Sequence, residues 1–124
     1  MKAIEPFDPR TTYLSLLDSG ESAVGQAEGP PPEVVGFSVG VATMSEPPPH
    51  LGECHLDGDE ALYLIRGRAE IVLELPDATR SVELTEGQAF VVPKAVWHRV
   101  LPKGEVELLY ITPGPNNQHR PLDG

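Results

Sequence analysis

The feature that most constrains this chain is the regular interruption of its apolar runs. Fourteen Pro and 12 Gly are spread along 124 residues instead of being gathered into one linker. Between them lie short stretches of strand character. In VVGFSVGVATM (34–44), Phe37, Val39 and Val41 alternate with Ser38, Gly40 and Ala42; LGECHL, EALYLIR, RAEIVLEL, RSVELT, QAFVVP, VWHRVL and EVELLYIT follow. Turn signals separate them at Asp57-Gly58, Gly67, Pro76-Asp77, Glu86-Gly87, Pro93-Lys94 and Lys103-Gly104. Short runs punctuated this often predict an all-β sandwich or barrel. No stretch carries a sustained helical period with caps at both ends. TTYLSLLDSG (11–20) is compatible with a short helix or an early strand. Residues 18–33, small and polar and ending in three prolines, read as a loop, and there are no internal repeats. The expected organisation is an N-terminal extension over 1–33 that supplies an edge or exchanged strand, a barrel over 34–112, and an irregular tail over 113–124.

A chain of this length makes one domain with a modest core. Nine Lys and Arg against 19 Asp and Glu give a net charge of −10, which argues against nucleic acid or an anionic membrane surface as partner. Cys54 is the single cysteine, so no intramolecular disulfide framework exists. The opening MKAIEPFDPR has no apolar leader core, and no run approaches the roughly 20 apolar residues of a membrane-spanning helix. A cytoplasmic location with no membrane association is the expectation.

The segment LGECHL-DG-DEALYLIRG carries the chemistry. Asp57-Gly58 between two alternating runs signals a two-residue hairpin turn with φ > 0 at both central positions. That turn would set His55 opposite Glu60 and Glu53 opposite Leu62, with Glu53, His55, Glu60, Leu62 and Leu64 on one face. Two carboxylates close together on an apolar face repel each other unless something compensates them. A divalent cation removes the conflict, and two imidazoles with carboxylates form a ligand set for Fe, also open to Mn, Ni and Zn. Further on, alternation in EGQAFVVPKAVWHRV places Val96, His98 and Val100 on one face of a strand, so His98 points the way the core points. Cys54, between two inward residues, should face outward. His50 and His119 sit beside prolines in expected loops and read as solvated, while Asp57 and Asp59 read as turn formers.

These residues resemble the cupin family. Its first motif reads G-x5-H-x-H-x3-4-E-x6-G and its second G-x5-P-x-G-x2-H-x3-N. Aligned on His55 as the second histidine, Glu60 and Gly67 fall at the required spacings; aligned on Gly87, so do Pro93 and His98. The departures are Pro47 and Glu53 in the first motif and Ala95 and Pro102 in the second. The resemblance covers residues 47–102. It implies a double-stranded β-helix, or jelly-roll, barrel holding one divalent metal ion per chain, with Glu53, His55, Glu60 and His98 as its ligands. Glu53, standing where the family has histidine, is either a fourth ligand or a catalytic base beside a three-ligand metal. Phe37, Val39, Val41, Leu62, Val96, Val100 and Tyr110 are core positions expected to line a small-molecule pocket. Two functions fit: a metal-dependent enzyme (dioxygenase, isomerase or lyase) acting on a small oxygenated metabolite, and a non-catalytic module that binds or senses a small molecule. The resemblance also implies a homodimer.

Overall fold

Two antiparallel sheets face each other across one interior. The computed structural model describes residues 4–26 and 34–121, and all regular structure among them is β. The strands are β1 (Thr12–Leu17), β2 (Ser22–Gln26), β3 (Gly36–Met44), β4 (Glu53–His55), β5 (Glu60–Arg66), β6 (Arg68–Glu74), β7 (Thr79–Thr85), β8 (Ala89–Val92), β9 (Trp97–Pro102), β10 (Val106–Gly114) and β11 (Asn117–His119). A six-stranded sheet has the order β2-β1-β3-β10-β5-β8, and a five-stranded sheet the order β11-β4-β9-β6-β7. No helix is long and apolar enough to cross a membrane among the described residues.

The expected strands from β3 to β10 form close to their sequence limits, because each apolar run ends where a turn residue takes over. Gly67 shows why the turn chemistry is specific. The chain leaves β5 in one sheet and enters β6 in the other with Gly67 as the only residue between, at φ 97°. A Cβ there would stand 2.6 Å from the Glu105 carbonyl oxygen. Only glycine fits both the conformation and the space. The crossing turns alternate residues of both strands onto one core, in which Leu62, Leu64, Ile71, Leu73, Leu84, Val92, Val106 and Leu108 pack together. Burying one such side chain stabilises the fold by about 1.5–3 kcal/mol.

Four expectations change. TTYLSLLDSG resolves as strand β1, paired within the chain to β3, with the expected loop replaced at 22–26 by strand β2; residues 27–33 of that loop lie outside the described residues. The tail is not irregular throughout: β10 continues to Gly114, and β11 pairs with β4, while 122–124 lie outside the described residues. The Asp57-Gly58 hairpin does not form. β4 pairs with β9 and β11 and β5 with β10 and β8, so residues 56–59 cross between the sheets, and neither Asp57 nor Gly58 has positive φ. Competing hydrogen bonds hold the crossing: Asn116 donates its N–H and Nδ2–H to Asp57, and Lys94 donates its N–H to Asp59. Finally, Ser38, Ala42 and Met44 face the interior cavity from β3, and Phe37, Val39 and Val41 lie on the strand's other face.

Candidate metal centre

Three of the four candidate ligands come from the five-stranded sheet. Glu53 and His55 are two apart on β4 and share a face, and the β4–β9 register sets Glu53 directly opposite His98. Glu60, the first residue of β5, reaches them from the facing sheet. One ligand atom from each of Glu53, His55, Glu60 and His98 lies within 4.8 Å of all the others. His98 Nε2 is 3.0 Å from Glu60 Oε1 and 3.4 Å from Glu53 Oε1; His55 Nε2 is 3.2 Å from Glu60 Oε2 and 3.7 Å from Glu53 Oε1. Donors sharing one ion at bond lengths near 2.1 Å stand about 3 Å apart in an octahedron. His55 and Glu60 therefore meet as expected, but across the barrel and not along a hairpin ladder.

The imidazoles are oriented for ligation. His55 Nδ1 is 2.8 Å from Asn117 Oδ1, and His98 Nδ1 is 3.2 Å from the Val96 carbonyl. As both partners are acceptors, each Nδ1 carries a proton and each Nε2 faces the centre, protonated toward the carboxylates without an ion and free to ligate once that proton is displaced, the tautomer metal-ligating histidines adopt. His55 Nε2 is buried and, although 3.2 Å from Glu60 Oε2, makes no well-aligned hydrogen bond. A buried polar atom left in that state is costly, and a metal ion at the centre would satisfy it. The donor set fits a divalent ion.

Without an ion the same residues form a compact charge quartet. Burial pulls the His55 imidazolium down, but Glu53 and Glu60 outweigh it and raise its pKa to about 10. His98, opposed by burial in the same way, is raised to about 9 by the same two carboxylates. Burial pushes the Glu53 and Glu60 carboxyls up, and the two imidazoles hold both below the usual carboxylate range. Two negative and two positive groups balance, so a divalent ion enters by displacing two protons.

A cavity of about 410 Å³ opens over the centre. Of the residues expected to line it, Leu62, Val100 and Tyr110 do; Phe37, Val39, Val41 and Val96 do not. Burial first, then Tyr13 and Glu60, raise the Tyr110 phenol well above its ordinary value, so it stays protonated. Cys54 is buried and off the cavity wall.

Sequence reasoning missed Asn117, Thr112, His50 and His119. Thr112 Oγ1–H donates to Glu60 Oε2 at 2.6 Å. β11 sets Asn117 directly opposite His55 and His119 directly opposite Glu53. The alternation Asn-Gln-His was the available signal, too short to separate from a polar tail. His50 and His119, expected in solvent, line the cavity with their rings edge to face at 5.2 Å, and His119 Nε2 is 3.2 Å from Glu53 Oε2. Gly52 N–H donates to His50 Nδ1, so the neutral His50 ring carries its proton on Nε2. Burial lowers the His50 pKa against the pull of Glu53.

No protein-family model matches the chain, and no curated protein matches it. Solved structures do. A Bacillus subtilis oxalate decarboxylase with Mn(II) centres is 19% identical over 67% of this chain and 23% of its own, with a TM-score of 0.59. A cupin-2 domain-containing protein from Shewanella frigidimarina is 21% identical over 72% of this chain and 84% of its own, at 0.54. An oxalate oxidase is 17% identical over 66% and 45%, at 0.55. The chain thus spans about a quarter of the decarboxylase and most of the cupin-2 protein. Two facing antiparallel sheets, the motif spacings around His55 and His98, and these neighbours agree: the chain has the jelly-roll fold of the cupins.

Proposed function

We propose that this chain is a divalent-metal-dependent enzyme acting on a small oxygenated molecule, with Glu53, His55, Glu60 and His98 as the metal ligands. The observation that carries the reading is the buried Nε2 of His55, which lacks a well-aligned hydrogen bond and faces two carboxylates and a second imidazole while both rings commit their Nδ1–H groups elsewhere. Two imidazoles and two carboxylates neutralise a divalent ion and suit Fe(II) or Mn(II) better than metals that favour sulfur. When bound, the ion supplies Lewis acidity to a chelated oxygen or to O2.

The chain's own residues supply the rest. Asn117 and the Val96 carbonyl orient the imidazoles, and Thr112 holds one oxygen of Glu60. Glu53 divides its work between two atoms: Oε1 faces the imidazoles, and Oε2 faces His119. It serves as fourth ligand and as the base that takes a proton from the substrate, handing it to His119, which is half exposed at the cavity mouth. Tyr110, held neutral, is available to donate a hydrogen bond to a substrate oxygen.

Metal analysis of protein purified without a nickel column tests the site. About one ion per chain is expected, falling to below about a tenth in His98→Ala and in the closer isostere His98→Gln, with unchanged far-UV circular dichroism. Unchanged metal content in either folded variant overturns the ligand assignment. Thermal stabilisation by ligands with no turnover assigns the chain to non-catalytic binding instead.

A further inference from the structure

The cavity wall is sorted by chemistry. Glu53, His55 and Glu60 line one end, with the fully buried His98 against Glu53 and Glu60, while Ala42, Met44, Pro48, Val100 and Leu108 form an apolar wall of the cavity. Among the described residues, no Lys or Arg lines the cavity. We infer that the cavity selects a neutral or singly charged oxygen chelator carrying an apolar body and rejects small dicarboxylates, an inference that rests on the metal reading above. Two carboxylates already neutralise a divalent ion, so every negative charge on the ligand is buried without a counter-ion. One such charge can accept from the Nε2–H of His50, which lines the cavity while its Nδ1 accepts from Gly52 N–H. A second meets no Lys or Arg; the neutral Tyr110 phenol can give it a hydrogen bond but no compensating charge. Met44, Val100 and Leu108 instead offer surface that gains only from apolar contact. This separates the chain from the oxalate decarboxylase and oxalate oxidase whose fold it shares, both named for a dicarboxylate.

The test is calorimetric titration of the Mn(II)-loaded protein with acetylacetone, benzoylacetone and oxalate, with retained Mn measured after each run. Replacing a methyl by a phenyl group should tighten binding about tenfold or more, and oxalate should bind at least about 100-fold more weakly than benzoylacetone. Met44→Arg, placing a guanidinium in the apolar wall, should raise oxalate affinity about tenfold or more with Mn content unchanged. Oxalate binding as tightly as benzoylacetone, or no gain from the phenyl group, overturns the inference. Protein that holds Mn but binds none of the three also overturns it and leaves the metal reading standing; protein that holds no Mn overturns both.

Discussion

Asn117 holds His55 through a 2.8 Å hydrogen bond at Nδ1, on the face of the ring that the metal would not use. Such outer partners fix the tautomer and raise the basicity of a ligand. Asn117→Ala should therefore weaken Mn(II) binding about 10- to 100-fold, measured by competition with a fluorescent chelator, with the fold retained. Ala95 makes a different prediction. It stands where the second cupin motif has glycine, and its backbone keeps the left-handed conformation, φ 64°, while its N–H donates to the His55 carbonyl. An L-residue pays about 1–2 kcal/mol for that conformation, partly offset by the entropy glycine loses on folding. Ala95→Gly should raise stability by up to about 1 kcal/mol in urea denaturation. His55, Glu60 and His98 were legible in the sequence because their spacing is long and specific. Asn117 and Thr112 were not, since a single polar residue carries no periodic signal.

At the scale of elements, the strands were legible and their partners were not. Alternation sets which residues share a face, but not which face is inside when both are apolar. On β3 the smaller residues Ser38, Gly40 and Ala42 turn inward because Tyr110, directly opposite Gly40, fills the space above it. The Asp57-Gly58 signal failed for a related reason. A type I′ turn is favoured locally, yet β4 gains ladders on both edges, from β9 and β11, only by leaving β5. Tertiary pairing outweighed the local turn. Gly67 is the reverse case, where local and tertiary demands coincide. Gly67→Ala should destabilise by more than about 2 kcal/mol, since it adds left-handed strain to a clash with the Glu105 carbonyl; thermal and urea unfolding will measure it.

For the whole molecule, the charge quartet couples stability to pH. His55 and His98 have folded pKa values of about 10 and about 9, above their ordinary 6.5, so their contribution is complete below 6.5 and is lost as pH rises through 9 to 10. Glu53 and Glu60 are depressed below 4.5, so their contribution is present above 4.5 and is lost as pH falls through their folded values. The metal-free protein should thus be most stable between 4.5 and 6.5 with respect to these four groups. Metal needs the imidazoles neutral, so its stabilisation should grow with pH across the window in which the metal-free protein weakens. Melting temperatures with and without excess MnCl2 should diverge between about pH 6 and about pH 9; a constant difference would refute the proton displacement.

Sequence alone determined the all-β class, most strand limits and the inward placement of His55, Glu60 and His98, because turn chemistry, period-two alternation and motif spacing are local properties of the chain. The tertiary structure decided that His55 and Glu60 meet across two sheets, that the tail returns as β11 to bring Asn117 to His55 and His119 to Glu53, and that β3 turns its small residues inward. Each of these is a pairing between residues far apart in the chain, settled by which arrangement fills the interior and satisfies the most backbone groups. That is why Glu53, an ambiguous carboxylate in the sequence, becomes in the fold the link between the buried cluster of His55, Glu60 and His98 and the histidines at the cavity mouth.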